Sequence, residues 1–512
     1  MPGIRYEVEA DWDGNGMFDN SHSRLGEAGH VMNIQSNRGE SNMREIAAPG
    51  TATVRVLNDS GLYSLQGQGA LAGKILPGRA IRITSTILDA ADQPVGAPIP
   101  VYYGYMSNAT EQSDSGLAPT IALNCLDAID LFQLGDISLP LLKNQRADQL
   151  LNIILDTTGW PEALRRIQEA SPKAGLVERF TGEKRTPSSL LREAAKSDPG
   201  GHLWIAPDGY VSFSNSRARH LADQIGILDD SQYTQSLNTS INRKDLRDTV
   251  NHESSGLTGA SRTAVYVDTT FRRLLPGDTV IEDSYIYESD NVSAPRPVQD
   301  YTANTSAFGD GVDKTLLVSV SSFEARGAGF TVVFQNISRD TLYLRGPGIV
   351  DGFKIEGDPL QRQGGENIAQ RKKTPVVPTD QIWADQWSFF SDTEQLGRFA
   401  RFRSEVFARQ QLRVTARLVH GEDDAGLFPR WILAADLGDK VGLRNVDGLN
   451  PARIAKANGD PVDMVVSQIH LSATPPIGHT KITWVLLSED LALASGGKIG
   501  RDGLSTDKTG TW

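Results

Sequence analysis

A chain of 512 residues with 63 acidic against 51 basic side chains, net charge −12, is longer than one hydrophobic core organises, and it lacks the cationic balance that tight sequence-specific DNA binding requires. Its single cysteine, Cys125, excludes a disulfide framework within the chain, and no window approaches eighteen uninterrupted apolar residues, which excludes a helical membrane span. The 49 glycines and 39% apolar residues describe a turn-rich globular protein biased toward β structure.

The opening MPGIRYEVEADWDG has no basic n-region or apolar h-region, so no secretory leader is expected. Ile4, Tyr6, Val8 and Ala10 alternate with Arg5, Glu7 and Glu9, which predicts a half-buried first strand. It runs into Asp11, Asp13, Asn15 and Asp19, spaced as in the first half of a calcium loop. The twelfth loop position is His22 and offers no bidentate carboxylate. The stretch is therefore read either as a Ca2+ site or as an Asx-rich turn.

Strands are predicted at 51–57, where Ala52, Val54 and Val56 alternate with polar residues, and at 80–88, 99–106 and 119–126. The segment Asn58 to Gly73 is too long for a hairpin and is expected to touch something beyond its own sheet. Cys125 sits in the alternating run Ile121, Leu123, Cys125 and reads as a core thiol. Strands without an intervening long helix predict a compact antiparallel barrel or sandwich.

The texture changes near Asp127. Leu150, Leu151, Ile154 and Leu155 fall at helical spacing before Gly159, and Thr186-Pro187 opens a second helix that ends at Pro199-Gly200-Gly201. HLWIAPDGYVSFSN then reads as a hairpin. Residues 216–265 are polar, with one strand expected at Asp248 to Glu253. From Val265 to Arg362 alternation without a helix signal predicts a β-sandwich. The basic stretch around Arg371, Lys372 and Lys373 lacks interleaved aromatics and reads as a solvated linker.

A long helix is predicted over Asp392 to Gln411, with an apolar stripe of Leu396, Phe399, Phe402, Val406 and Phe407. It feeds strands at 412–418, 439–444, 462–472 and 479–488. The division is therefore a first barrel over 1–135, an α+β insert of two helices and a hairpin over 136–215, and a return segment over 216–264. It continues with an inserted β-sandwich over 265–362, a linker over 363–390, the long helix with a second barrel over 391–493, and a flexible tail over 494–512.

No nucleophile elbow, Walker loop, dinucleotide fingerprint, HExxH helix or Cys/His cluster is present. His420, His470 and His479 have no carboxylate pattern to orient them, and Glu422, Asp423 and Asp424 form a solvated loop run. No residue is assigned a catalytic role, and no cofactor other than the possible Ca2+ is expected.

Several segments, taken in order, resemble the central hub proteins of phage tail tips and baseplates, the minor tail protein family. They are DWDGNGMFD after the opening strand, APGTATVRVLNDSGLYS, LPGRAIRI with Tyr103-Gly104-Tyr105 after it, and WIAPDGYVSF. LRVTARL, LGDKVGL and IHLSATPPIGHTKITWVLLSED complete the set. The resemblance implies a mainly β fold with an α+β insert: two hub β-barrel domains plus an inserted β-sandwich.

It further implies a homotrimer whose paired barrels form a pseudo-sixfold ring, joining the tail tube to a threefold tip at the distal end of the virion's tail. Implied partners are a distal tail protein or tail-tube ring, a tape measure protein, and tip spike, fibre or receptor-binding proteins. DNA would pass through the channel without specific binding, and no membrane anchor is implied; synthesis would be in the host cytoplasm. Two other readings stand beside it: a secreted calcium-dependent carbohydrate-binding or adhesive protein using Asp11, Asp13 and Asn15, and a glycan hydrolase with distant carboxylates.

Overall fold

The computed structural model describes residues 3–25, 30–39, 47–66, 69–113, 118–169, 177–198, 201–228, 234–240, 249–254, 257–259, 262–267, 272–286, 292–293, 301–326, 329–345, 354–362, 367–371, 382–387, 397, 400, 413–420, 428–444, 461–475 and 480–488. The fold is mainly β. Its centre is a 12-stranded sheet drawn from both ends of the chain.

The first part of that sheet uses β1 (Gly3–Ala10), β2 (Val31–Gly39), β3 (Thr51–Leu57), β4 (Ala80–Leu88), β5 (Ile99–Gln112) and β6 (Thr120–Leu126). These lie in the order β1-β4-β5-β6-β3-β2. The second part uses β7 (Gln224–Leu228), β8 (Thr234–Ser240), β9 (Arg413–His420), β10 (Lys440–Leu443), β11 (Val462–Ala473) and β12 (Thr480–Ser488). Their order is β7-β10-β11-β12-β9-β8. With the strands of each part renumbered from one, the two orders are the same, so the chain contains one topology twice.

Strand directions agree across the repeat with one exception. The ladders β4–β5, β5–β6, β6–β3 and β3–β2 are antiparallel, and so are β10–β11, β11–β12, β12–β9 and β9–β8. β1 runs antiparallel to β4, whereas β7 runs parallel to β10.

Both units must curl. In the first, Ser23 and Leu25 cover the outer edge of β1 through Ala10 N–H to Ser23 O at 2.9 Å and Leu25 N–H to Val8 O at 2.8 Å. Six residues later the chain is in β2, at the opposite end of the order. A flat sheet would separate these positions by about 29 Å, and six residues reach only about 22 Å. The same constraint joins β7 to β8 across residues 229–233.

One cluster of buried side chains runs through both units, including Tyr6, Trp12, Val54 and Ile83 from the first and Val414, Trp484 and Leu486 from the second. Alternation places these residues inward, as the pattern of β3 and β4 predicts. The expected loop Asn58 to Gly73 contributes as well: Tyr63 and Leu71 are buried in this cluster, so the loop is a lid on its own sheet.

The α+β insert packs helices Ala147–Thr157 and Pro187–Lys196 on the hairpin His202–Ile205 and Val211–Ser214, around Leu150, Leu151, Ile154, Leu190, Leu191 and Phe213. Thr186 caps the second helix by accepting from Ser189 N–H, as its sequence predicts. Between β8 and β9, strands such as Thr279–Ile286, Val318–Arg326 and Gly329–Asn336 enclose a core of Val265, Phe330, Phe334, Leu342 and Leu344. Pairing there extends past 265–362, because Thr249–Ser254 lies between Asn367–Arg371 and Ile382–Trp387. The helix expected at Asp392 to Gln411 lies outside the described residues except for Gly397 and Ala400, both helical. The tail over 494–512 lies wholly outside them. Among the described residues no helix is long and apolar enough to cross a membrane.

Candidate functional site

The repeat extends to individual atoms. β5 bulges between Met106 and Asn108, and β11 bulges between Val466 and Gln468, so Ser107 and Ser467 are the extra residues. Ser107 Oγ donates to Asn124 O at 3.0 Å, and Ser467 Oγ donates to Val485 O at 2.9 Å. Gly78 N–H donates to Met106 O at 2.7 Å while Met106 N–H donates to Arg79 O at 2.8 Å. Gly438 N–H donates to Val466 O at 2.8 Å while Val466 N–H donates to Asp439 O at 2.9 Å. Both glycines have φ +87°, which a side chain disfavours.

The units meet where β2 pairs antiparallel with the second half of β11, from Ile34 opposite Ala473 to Gly39 opposite Gln468. β10 occupies the first half of the same edge, from Val462 to Val465. β2 therefore starts where β10 stops, at the Ser467 bulge. Gly39 fills that point: its φ is +80°, and a Cβ on it would lie 2.2 Å from Ser467 O and 2.7 Å from Leu437 Cδ2.

The α+β insert is tied to the same place. Arg38 is buried, forms an ion pair with Asp436 and donates to Ile205 O at 3.0 Å. Trp204 Nε1 donates to the other Asp436 oxygen at 2.9 Å. Asp436 N–H donates to Asp439 Oδ2 at 2.7 Å. On the other side Asp127 accepts from Gly50 N–H at 2.6 Å and Ile129 N–H at 2.9 Å.

Burial raises Asp127 to about 7, opposed by those two amides and by Arg38. Burial likewise raises Asp439 to about 6, opposed by the Asp436 amide and Arg38 and assisted by the Asp436 charge. One guanidinium thus serves carboxylates of both units at a three-way junction. Arg38, Trp204 and Asp436 carry no local motif, and only the fold brings them together.

Asp11, Asp13, Asn15 and Asp19 do form one loop, held in the manner of an Asx-rich turn. Asp11 accepts from Gly14 and Asn15 N–H with Oδ1 and from Gly16 N–H with Oδ2. Asn15 Oδ1 accepts from Met17 N–H, and its amide donates to Asp19 at 3.4 Å. Asp13 pairs with Lys74 at 2.7 Å, and hydrogen bonds from Lys74 and Asn20 hold it below the usual carboxylate range. Among the described residues no group of three or more His, Cys, Asp or Glu side chains is gathered to hold a metal ion. Because Asp11 already accepts three backbone amides and Asp13 pairs with Lys74, millimolar calcium is expected to leave the melting temperature within about 1 °C of the metal-free value; a saturable rise of several degrees would assign the loop to calcium.

Cys125 is buried, and burial pushes its thiol up to about 12. His420 is buried in β9 and His470 exposed on β11. His479, the run Glu422, Asp423 and Asp424, and Lys372 with Lys373 lie outside the described residues.

Neither a protein-family model nor a curated protein matches this chain. Solved structures do. The chain is similar to phage tail proteins. The 43 kDa tail protein of prophage MuSo2 from Shewanella oneidensis shares 11% identity over 95% of this chain and 99% of that one, with a TM-score of 0.47. A tail protein from Neisseria meningitidis MC58 shares 10% over 96% and 99%, with a TM-score of 0.49. Prophage tail protein gp18 from Listeria monocytogenes EGD-e shares 8% over 94% of each chain, with a TM-score of 0.39.

Proposed function

We propose that the chain is a non-enzymatic structural hub of the tail tip or baseplate of a tailed phage or phage-like particle. In this reading three copies close into a ring of six β units that joins the sixfold tail tube to a threefold tip. The observation that carries it is the strand order present twice in one chain, with matching bulges at Ser107 and Ser467 and both copies in one sheet. A protein built from two like units presents near-sixfold symmetry when its own symmetry is threefold.

The ring's neighbours are a distal tail protein or tail-tube ring on one side, and a tip spike, fibre or receptor-binding protein on the other, with the tape measure protein inside. The net charge of −12 suits a channel that DNA passes without binding, because a surface that displaces few counterions gains little from contact with phosphates. The location is the distal end of the virion's tail.

The test is mass in solution. Light scattering on the purified chain is expected to give about three times 55.6 kDa. A species of 55.6 kDa that persists as concentration rises contradicts the ring.

A further inference from the structure

We infer that one end of the inserted β-sandwich docks on a membrane, its apolar tips Leu275, Phe308, Val312, Leu316 and Ile337 entering the surface of a zwitterionic lipid bilayer.

The topology gathers these residues. Two three-stranded sheets enclose the core of Leu274, Phe334, Leu342 and Leu344. In one sheet Leu274 lies opposite Leu342 and Asn304 opposite Tyr343; in the other Thr279 lies opposite Gln335 and Val318 opposite Asn336. The connections 275–278, 305–317 and 337–341 therefore all pass from sheet to sheet at the same end. Hydrogen bonds join them: Gly277 N–H donates to Asn336 O at 3.1 Å, and Ile337 N–H donates to Leu317 O at 2.9 Å.

Among the described residues of the sandwich, these five are the large apolar side chains left exposed, and all lie on those connections. Phe308 is 84% exposed and Leu316 is 95% exposed. Single apolar side chains scattered over a surface need no explanation, but five on neighbouring turns mark a contact surface. Side chains this exposed project rather than line a recess. The set contains no Trp, Tyr or Arg of the kind that anchors protein contacts.

The backbone between the tips is closed on itself. Asn304 donates to Gly309 O at 3.3 Å and to Gly311 O at 3.2 Å, and it accepts from Ser306 N–H. Thr305 N–H donates to Val312 O at 3.1 Å, while Val312 N–H donates to Thr305 Oγ1 at 2.9 Å. The buried Asn336 donates to Leu274 O and Leu275 O at 3.1 Å and to Asp340 O at 2.9 Å. A protein partner draws on free loop amides and carbonyls for its own hydrogen bonds, whereas lipid accepts backbone whose polar groups are already satisfied. These turns suit the second.

Charge selects the lipid. The connections carry Asp278, Asp310, Asp313 and Asp340 against Lys314 and Arg339, so this end is net negative. Asp278 accepts from Leu275 N–H, Asp310 from Ser306 Oγ and Asp313 from Thr315, and Asp340 pairs with Lys314, so each carboxylate is held within the turns. Negative charge complements the ammonium group that choline and ethanolamine lipids hold outermost, and it opposes an anionic headgroup.

The inference stands independently of the hub reading. The experiment floats the full chain with phosphatidylcholine vesicles on a density gradient. The wild type is expected to float with them at low and at high salt, and less with phosphatidylglycerol vesicles. Phe308→Ser and Leu316→Ser, each first shown to melt as the wild type does, are each expected to lower the partition coefficient about tenfold, and together about a hundredfold. Leu134→Ser, which alters an exposed leucine outside the sandwich, is expected to leave it unchanged.

A wild type that stays soluble beside phosphatidylcholine overturns the inference, as does flotation that both serine variants leave intact. Binding confined to anionic vesicles overturns it too. Self-association in light scattering that the serine variants abolish, with no flotation, makes this end a protein contact instead.

Discussion

Replacing Gly39 with valine is expected to lower the stability of the fold by about 3 to 5 kcal/mol, read as a shift in the urea midpoint. Two costs add at this position. A side chain at φ +80° strains the backbone, and its Cβ would sit 2.2 Å from the Ser467 carbonyl, a rigid backbone atom at the bulge where β2 meets β11. Gly78 separates the two: its φ is +87°, but a Cβ there meets nothing within 4 Å. Gly78→Val is therefore expected to incur the strain alone, about 1 to 3 kcal/mol. Equal losses at the two sites would mean that the units do not meet tightly at Gly39.

Arg38→Met is expected to cost about 3 kcal/mol at pH 8 and much less at pH 5. The change leaves the Asp436 carboxylate without its cation and removes the one group that opposes the burial of both Asp127 and Asp439. A buried carboxylate raised to about 7 or about 6 binds its proton more tightly in the folded than in the unfolded chain, where it titrates near 4. Such groups favour the fold when protonated. Their contribution is present at low pH and is lost as pH climbs from about 4 through the folded values.

Without Arg38 both values rise further, so the loss becomes steeper and extends to higher pH. Denaturant unfolding between pH 5 and pH 8 checks this. A deficit that stays constant over that range would show that Arg38 acts through its ion pair with Asp436, its bond to Ile205 O and its packing, and not through Asp127 and Asp439.

Nine strands of the large sheet were legible in the sequence: β1, β3, β4, β6, β9 and β12, which alternate between a wet and a buried face, and β5, β10 and β11, expected at 99–106, 439–444 and 462–472. β2 was not. Its sequence VMNIQSNRG breaks step at a bulge between Val31 and Asn33, and it buries Ser36 and Arg38. Those polar residues look like a loop until Asp436 and the insert are placed around them. β7 and β8 were hidden in the same way within the polar stretch after residue 216. β8 looks polar because, among the described residues, it pairs on one side alone and its side chains are half-buried or exposed.

The duplicated order was also invisible, since equivalent positions carry different residues, Met106 against Val466 and Arg79 against Asp439. What recurs is a bulge with a serine and a glycine with positive φ, which are features of the backbone. At Asp11 to Asp19 the spacing was plain, but Lys74 and Arg79, which supply positive charge to that loop, arrive from a distant turn.

The proposed ring is tested most directly by the symmetry of the assembled particle. Electron microscopy of the purified assembly, viewed down its axis, is expected to show a closed ring whose inner density has a strong sixfold component and whose periphery, built from the inserts, has threefold character. A ring without that inner sixfold component, or particles holding a single pair of β units, would contradict it.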